Sequence, residues 1–443
     1  MIQNTLKLSI LALLLPGMLY AQNVRKLSLP EAVQLGLENS KNLKLSQNRI
    51  DRAVAQLKTV KDEKLPTASA SFAYNHAEIP TSTFDFGGTD PLRLPKRSDA
   101  FIGTAAVQEL VYGGGKFRLA EESTRLLTEV AKLDADKSAK DVSYAVINTY
   151  YALHKINQSK KVIAQNLEAI ASQLKQAQRF FEQGIVTKND VLRFQLQQAN
   201  VTLSQMEAEN NRKVINYNLD VLLGLPEQTE LEIANPDETL ATPQNLDAYL
   251  ELGLANRQEL RSLDLQNKVA ENNIKNVKAN VLPTVGVGAN LYYVNPSGKF
   301  IPPANQYIVP MTVGANLSWN IGALWNNKNK VSEARIQQKE VTLTKDLQLD
   351  QVKTEINKNY QDYQLALARI KVLETSIQQA SENDRLLESK YRNNVASAID
   401  RIDAETLLYQ SKINLEIAKA DAGLAYYTLL NSTGKIFYKS YNH

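Results

Sequence analysis

The chain has 443 residues and a formal net charge of +4, with 51 lysines and arginines against 47 acids. So mild a balance, with no basic patch interleaved with aromatics, gives no footing for a nucleic-acid partner. Cysteine is absent, and His76, His154 and His443 stand at no metal-binding spacing; disulfide frameworks, thiol nucleophiles and cysteine-based zinc sites are excluded, and no enzyme activity, metal or cofactor is expected.

Residues 1–21 read as an export signal. Lys7 precedes an apolar run from Leu8 to Leu19, broken by Pro16-Gly17, and Ala21 offers a cleavage point before Gln22. A buried N-terminal helix is the alternative. No cysteine follows, so no lipoprotein anchor is expected. No other stretch reaches about 18 apolar residues, so the mature chain is expected to enter a membrane only as a β-barrel.

The mature chain reads as two copies of one plan, at 22–243 and 244–434, with a tail at 435–443. Ser28 to Pro66 aligns without a gap on Asn245 to Pro283, with twelve identities that include Gly36/Gly253, Asn39/Asn256 and Leu65-Pro66/Leu282-Pro283. Chance likeness between amphipathic helices is the competing explanation, and the shared Leu-Pro terminus counts against it. FEQGIVTKNDVL from Phe181 likewise matches YRNNVASAIDRI from Tyr391.

In each copy a pair of strands comes next, at about 67–78 and 99–112 and at about 284–295 and 306–321. Val285, Val287, Ala289 and Leu291 alternate with Gly286, Gly288 and Asn290, the period-two pattern of a membrane strand. A soluble hairpin with one buried face is the other reading. Trp319, Tyr112, Tyr292 and Tyr293 are expected in an interfacial girdle. The polar, turn-rich segments 79–98 and 297–306 are expected as hairpin loops.

Long helices come after the strands. Neither glycine nor proline occurs between Lys116 and Glu182, nor between Ala323 and Ala422; both residues break helix interiors. About 67 residues at 1.5 Å each reach roughly 100 Å. Leu349, Val352, Ile356, Tyr360, Tyr363 and Leu367 recur near every 3.5 residues, a coiled-coil seam. Tip turns at about 184–189 and 393–398 then send a second helix back to Leu223 or Leu430.

Four strands cannot close a barrel, because their outer edges would leave backbone groups unpaired in hydrocarbon. Oligomerisation is the consequence, and three copies would supply twelve strands. Helices attached to such a barrel must project far into the periplasm. A soluble periplasmic coiled-coil scaffold or adaptor is the alternative that explains the helices without a barrel.

On the duplicated plan, the Leu-Pro strand starts, the QELVYGGGKFRLAEES segment from Gln108 and the two tip turns, residues about 24–434 resemble the TolC-like outer-membrane efflux proteins. That resemblance implies a mixed α/β membrane fold: a homotrimeric twelve-stranded barrel, in outer-membrane lipid, continued by a coiled-coil periplasmic tunnel. It implies a passive exit duct of a tripartite efflux or type I secretion system. An inner-membrane transporter and a periplasmic adaptor (membrane fusion protein) are the implied partners.

The segment IDRIDA at 399–404 resembles the family's periplasmic constriction. Asp400 and Asp403, three apart, share a helix face, and threefold symmetry would gather six carboxylates there. Capping and solvating the return helix is the other role open to them. Asp190 and Tyr391 match a pair of tip gating contacts. Gly184, Ile185, Val186 and Thr187, with Asn394, Val395, Ala396 and Ser397, match adaptor-contacting turns, and plain turn chemistry is their alternative. Ala396 stands where the family prototype has arginine, and Asn394 where glycine is usual; Arg392 or Arg401 is the expected substitute contact.

Overall fold

The computed structural model describes residues 25–78, 80, 83–84, 87, 92–93, 96–227, 229–236, 243–296 and 307–436. The expected export signal, the loop 297–306 and most of 79–98 fall outside them, as does the end of the tail.

In chain order the elements are β1 (Arg25–Leu27), α1 (Leu29–Asn39), α2 (Lys41–Asp62), β2 (Thr67–Glu78), β3 (Thr83–Phe84), β4 (Leu92–Arg93), β5 (Arg97–Tyr112), α3 (Lys116–Glu182) and α4 (Lys188–Leu223). The second half contains β6 (Leu231–Ile233), α5 (Leu246–Asn256), α6 (Gln258–Lys278), β7 (Thr284–Pro296), β8 (Met311–Ser318), α7 (Ala323–Arg392) and α8 (Ala398–Ser432). The helices α3 and α7 run 67 and 70 residues without a break, about 100 Å each.

The four long strands form one antiparallel sheet in the order β2-β5-β7-β8, leaving β2 and β8 as open edges. The pairing starts at Glu78↔Arg97, so β5 begins ahead of the expected residue 99. At the other end β8 is shorter than the expected 306–321. Pro310 carries no N–H for the ladder, and beyond it only the isolated bridge Val294↔Ile308 continues.

The register assigns every residue to a face, since directly paired residues share one. Phe72 pairs with Gly103 and Ala70 with Ala105; Ala105 pairs with Leu291, which pairs with Met311. Along the same face run Val107, Ala289 and Val313, then Val287 with Ala315 and Val285 with Leu317. This apolar band crosses all four strands, interrupted by Glu109 near the helical end, and is open: Phe72 is 68% exposed, Val313 75% and Leu317 70%. The opposite face carries Ser71, Thr104, Asn290 and Thr312, with Ser71 Oγ and Thr104 Oγ1 2.7 Å apart. Trp319 Nε1 donates to Val281 O at 3.0 Å, fixing the lower rim of the band to the helices.

Below the sheet, α3 packs on α4, α7 on α8, and α3 also on α8. The main core lies where α1 crosses α3 and α4, around Tyr150, Ile147, Leu153, Leu219 and Leu223. Its counterpart, where α5 crosses α7 and α8, centres on Tyr249, Val352, Ile356, Tyr363 and Leu429. The parallel pair β1–β6 closes the first of these. Tyr150 fastens it, its hydroxyl shared between Leu27 O at 3.0 Å and Ala234 O at 2.8 Å. Asn216 adds bonds to Thr229 O and from Leu231 N.

The identical glycines now have a reason. A Cβ on Gly36 would sit 2.6 Å from Val146 Cγ2, and one on Gly253 2.3 Å from Ile356 Cδ1. Each lies where a short helix crosses a long one closely. Gly36→Val is therefore expected to destabilise the chain by about 1–3 kcal/mol, since Val146 is β-branched and stiff. Thermal unfolding followed by circular dichroism checks this, and an unchanged melting temperature would show that the crossing has slack.

Candidate functional site

The candidate site is the tip of the helical body, where two coiled coils turn back within a few residues. The turns have one geometry. Gly184 and Asn394 both take the left-handed conformation, with φ 72° and 58°, which glycine and asparagine tolerate best. Behind them Ile185 N donates to Phe180 O and Val395 N to Lys390 O, each at 2.8 Å. Asparagine in place of glycine thus leaves the turn intact.

Each return helix starts with a capping box. Thr187 N and Oγ1 both donate to Asp190 Oδ2, at 2.9 and 2.7 Å. In the second tip Ser397 N and Oγ donate to Asp400 Oδ2, at 3.1 and 2.6 Å. The Ser397 hydroxyl, and then its backbone N–H, hold the Asp400 carboxyl below the usual range. Asp400 therefore caps α8, the more local of the two roles open to it in the sequence. Asp403 lies one turn further on, exposed on the same side. Capping occupies only one oxygen of Asp400 and leaves the residue exposed.

Asp190 and Tyr391, the expected pair of gating contacts, are not hydrogen-bonded to each other within the chain. Asp190 is taken by Thr187, and the Tyr391 hydroxyl is buried without a partner. Instead the Tyr391 ring packs edge-on against Phe194 at 5.9 Å and tilted against Phe180 at 6.2 Å. With Ala177 and Ala398 these rings form a small apolar cluster between the two coils. Burial raises the Tyr391 hydroxyl above its ordinary range, and the charge of Asp190 adds to the shift.

Neither expected substitute arginine reaches Asp190. Arg392 pairs with Glu388 on its own helix at 2.5 Å. Arg401 pairs with Asp384 across α7 and α8, also at 2.5 Å, and is buried. Beside it Glu405 is 3% exposed. This buried group was not legible in the sequence, because its members come together only when α8 lies between α7 and α3. The turn residues Gly184, Ile185, Thr187, Asn394, Val395 and Ser397 are exposed, and Val186 and Ala396 half-buried. Val395, at 75% exposure, is the most open apolar side chain of the tip.

Three kinds of comparison bear on this architecture. The family model described as outer membrane efflux protein matches residues 32–225 and again 249–435. The toluene efflux pump outer membrane protein TtgC and the antibiotic efflux pump outer membrane protein ArpC, both of Pseudomonas putida, are each 22% identical over 407 residues. That stretch is 87% of this chain and 78% of theirs. Among solved structures, the outer membrane protein VceC of Vibrio cholerae superposes with a TM-score of 0.76 at 16% identity, covering 93% of this chain and 97% of VceC. The CmeC outer membrane channel of Campylobacter jejuni gives 0.74 at 16% identity, covering 94% and 87%. The fold is that of TolC-like outer-membrane channels, mostly helical with few strands. The chain belongs to the outer membrane efflux protein family and resides in the outer membrane with a periplasmic extension.

Proposed function

We propose that three copies of this chain close their four-stranded sheets into one twelve-stranded barrel, continued by a twelve-helix tunnel, and that the assembly passively conducts cargo from periplasm to exterior. The observation that carries this reading is the sheet: an exposed apolar band across four strands, ending at unpaired edges on β2 and β8. In hydrocarbon such edges cost several kcal/mol per unpaired group, and other copies supply the missing partners. The helices support it too. Leu192, Leu196, Leu203 and Met206 on α4 and Leu343 and Leu347 on α7 are exposed by 50% or more, as faces that meet a neighbouring copy would be.

The same plan arises from an internal duplication. Supporting it are the two separate family matches, the repeated glycine crossings and the two capping boxes, which stand 210 residues apart in both Thr187/Ser397 and Asp190/Asp400. The exposed turns 184–187 and 394–397 are the surface offered to a periplasmic adaptor, through which an inner-membrane transporter supplies energy and cargo. The Tyr391 cluster, with Asp190 beside it, is the contact that opening must disturb. Efflux pump relatives favour an efflux system over type I secretion. Outer-membrane lipid covers the apolar band.

Asp400 and Asp403 from three copies would form the acidic ring at the periplasmic entrance. Purified protein is expected as a detergent-requiring trimer that forms cation-selective channels in planar bilayers. Asp400→Ala with Asp403→Ala should keep the trimer and lower both the selectivity and block by multivalent cations. Monomeric protein in the periplasmic fraction would overturn the conduit. Wild-type selectivity in the double variant would remove only the ring.

A further inference from the structure

We propose that the buried Glu405 carboxyl is a proton-operated latch: protonated, it lets α8 seat against α3 at the tip, and ionised, it drives the two coiled coils apart. The latch rests on the conduit reading and deepens it by assigning a regulator to the periplasmic end.

Glu405 sits two turns into α8, 3% exposed, with Oε1 buried and unpartnered. From α3, Gln173 faces the carboxylate closely enough to lower its pKa, and the Oε1 of Gln173 is also buried and unpartnered. The contact between the coils thus holds two acceptor oxygens that lack a donor. A proton on Glu405 is the smallest group that supplies one.

The charges around it leave little compensation for an ionised form. From α7 come Asp384 and Glu388, both acids; from α8 itself Arg401 and Tyr409; and Glu168 of α3 lies near Tyr409. Arg401 is already paired with Asp384, and Glu388 holds Arg392. From α4 the contact is neutral, Gln197 donating to Thr406 at 3.2 Å. Tyr409 donates to Gln165 O of α3 at 3.3 Å, so the latch lies within a polar seam joining the coils.

Burial pushes the Glu405 carboxyl up to about 7, with Asp384 and Glu388 adding to the rise and Arg401 and Gln173 opposing it. The packed tip therefore binds the proton more tightly than an open one. Its extra stability is full below the ordinary glutamate range and is lost as pH rises through about 7. The titration spans the pH range of a compartment in free exchange with the medium. Acid holds the tip packed and mild alkali loosens it.

The chain has no cysteine, so spin labels can be placed at will. With labels on exposed Ser172 of α3 and Gln410 of α8, the α3–α8 distance in detergent-purified trimers is expected to lengthen between about pH 5.5 and 8.5. Bilayer conductance should rise several-fold over the same interval. Glu405→Gln, neutral at every pH and carrying its own donor, should stay short and poorly conducting throughout. Label distances that do not move with pH, or that move equally in Glu405→Gln, would overturn the latch. Trimers that conduct without pH dependence and with static labels would leave the conduit standing and the latch refuted. Trimers that never conduct while the labels move would refute the conduit and keep the latch.

Discussion

Arginine at Ala289 is expected to abolish membrane assembly, whereas arginine one residue further, at Asn290, should leave it intact. Ala289 lies on the apolar band, between Val107 and Val313. Asn290 faces the other way, between Ala106 and Thr312. An arginine on a lipid face near the bilayer midplane costs about 2–4 kcal/mol, and the proposed trimer would carry three. On the polar face the same side chain meets water. The check is the amount of each variant recovered as trimer from the outer-membrane fraction, beside wild type. Equal recovery of the two variants would mean that the band does not face lipid.

The second large effect is at Arg401. Replacing it with methionine keeps most of the volume but strands Asp384, which is 17% exposed, and removes the nearest cation from Glu405. Breaking a buried pair at one partner costs roughly 3–5 kcal/mol, and the partial exposure of Asp384 places this case toward the lower end. Expected results are a lowered melting temperature, faster protease cleavage in the 392–398 turn and an upward shift in the pH at which the tip loosens. Adding Asp384→Leu should restore most of the stability, because a well-packed apolar pair replaces a buried ionic one at little loss. A double variant no more stable than the single one would show that the damage lies in packing around the guanidinium, not in the orphaned carboxylate.

Much of the architecture could be read from residue pattern alone, for definite reasons. The long helices announce themselves because glycine and proline are missing from Lys116 to Glu182 and from Ala323 to Ala422. The membrane strands show because one face must be apolar and the other not, which imposes period two. By contrast β1 and β6 are three residues each, too short for any period, and they pair across about 200 residues. The tip was half legible. Thr187 and Ser397 stand three residues before Asp190 and Asp400, which is a capping box in plain view, yet the likeness to known tips drew Asp190 toward Tyr391. Within the chain the local contact is the one made: a hydroxyl and an N–H three residues away hold one oxygen of the Asp190 carboxylate. The Arg401–Asp384–Glu405 group shows no local signal, since it depends on how three helices are rotated about their axes.

The polar face of the sheet has one further property. Among its described residues, Thr67, Ser69, Ser71, Thr104, Gln108, Asn290, Tyr292, Thr312 and Asn316 offer hydroxyls and amides, and Gly286, Gly288 and Gly314 offer bare backbone; none of these is a carboxylate, an ammonium or a guanidinium. If this face lines a pore, that stretch of its wall neither attracts nor repels cargo by sign. Sorting by charge at the acidic ring proposed for the tip would then act before cargo reaches the sheet. Such a device is a turnstile that opens onto a neutral sleeve: along the described strands of the sheet, cargo that has cleared the proposed ring meets no further test of its sign.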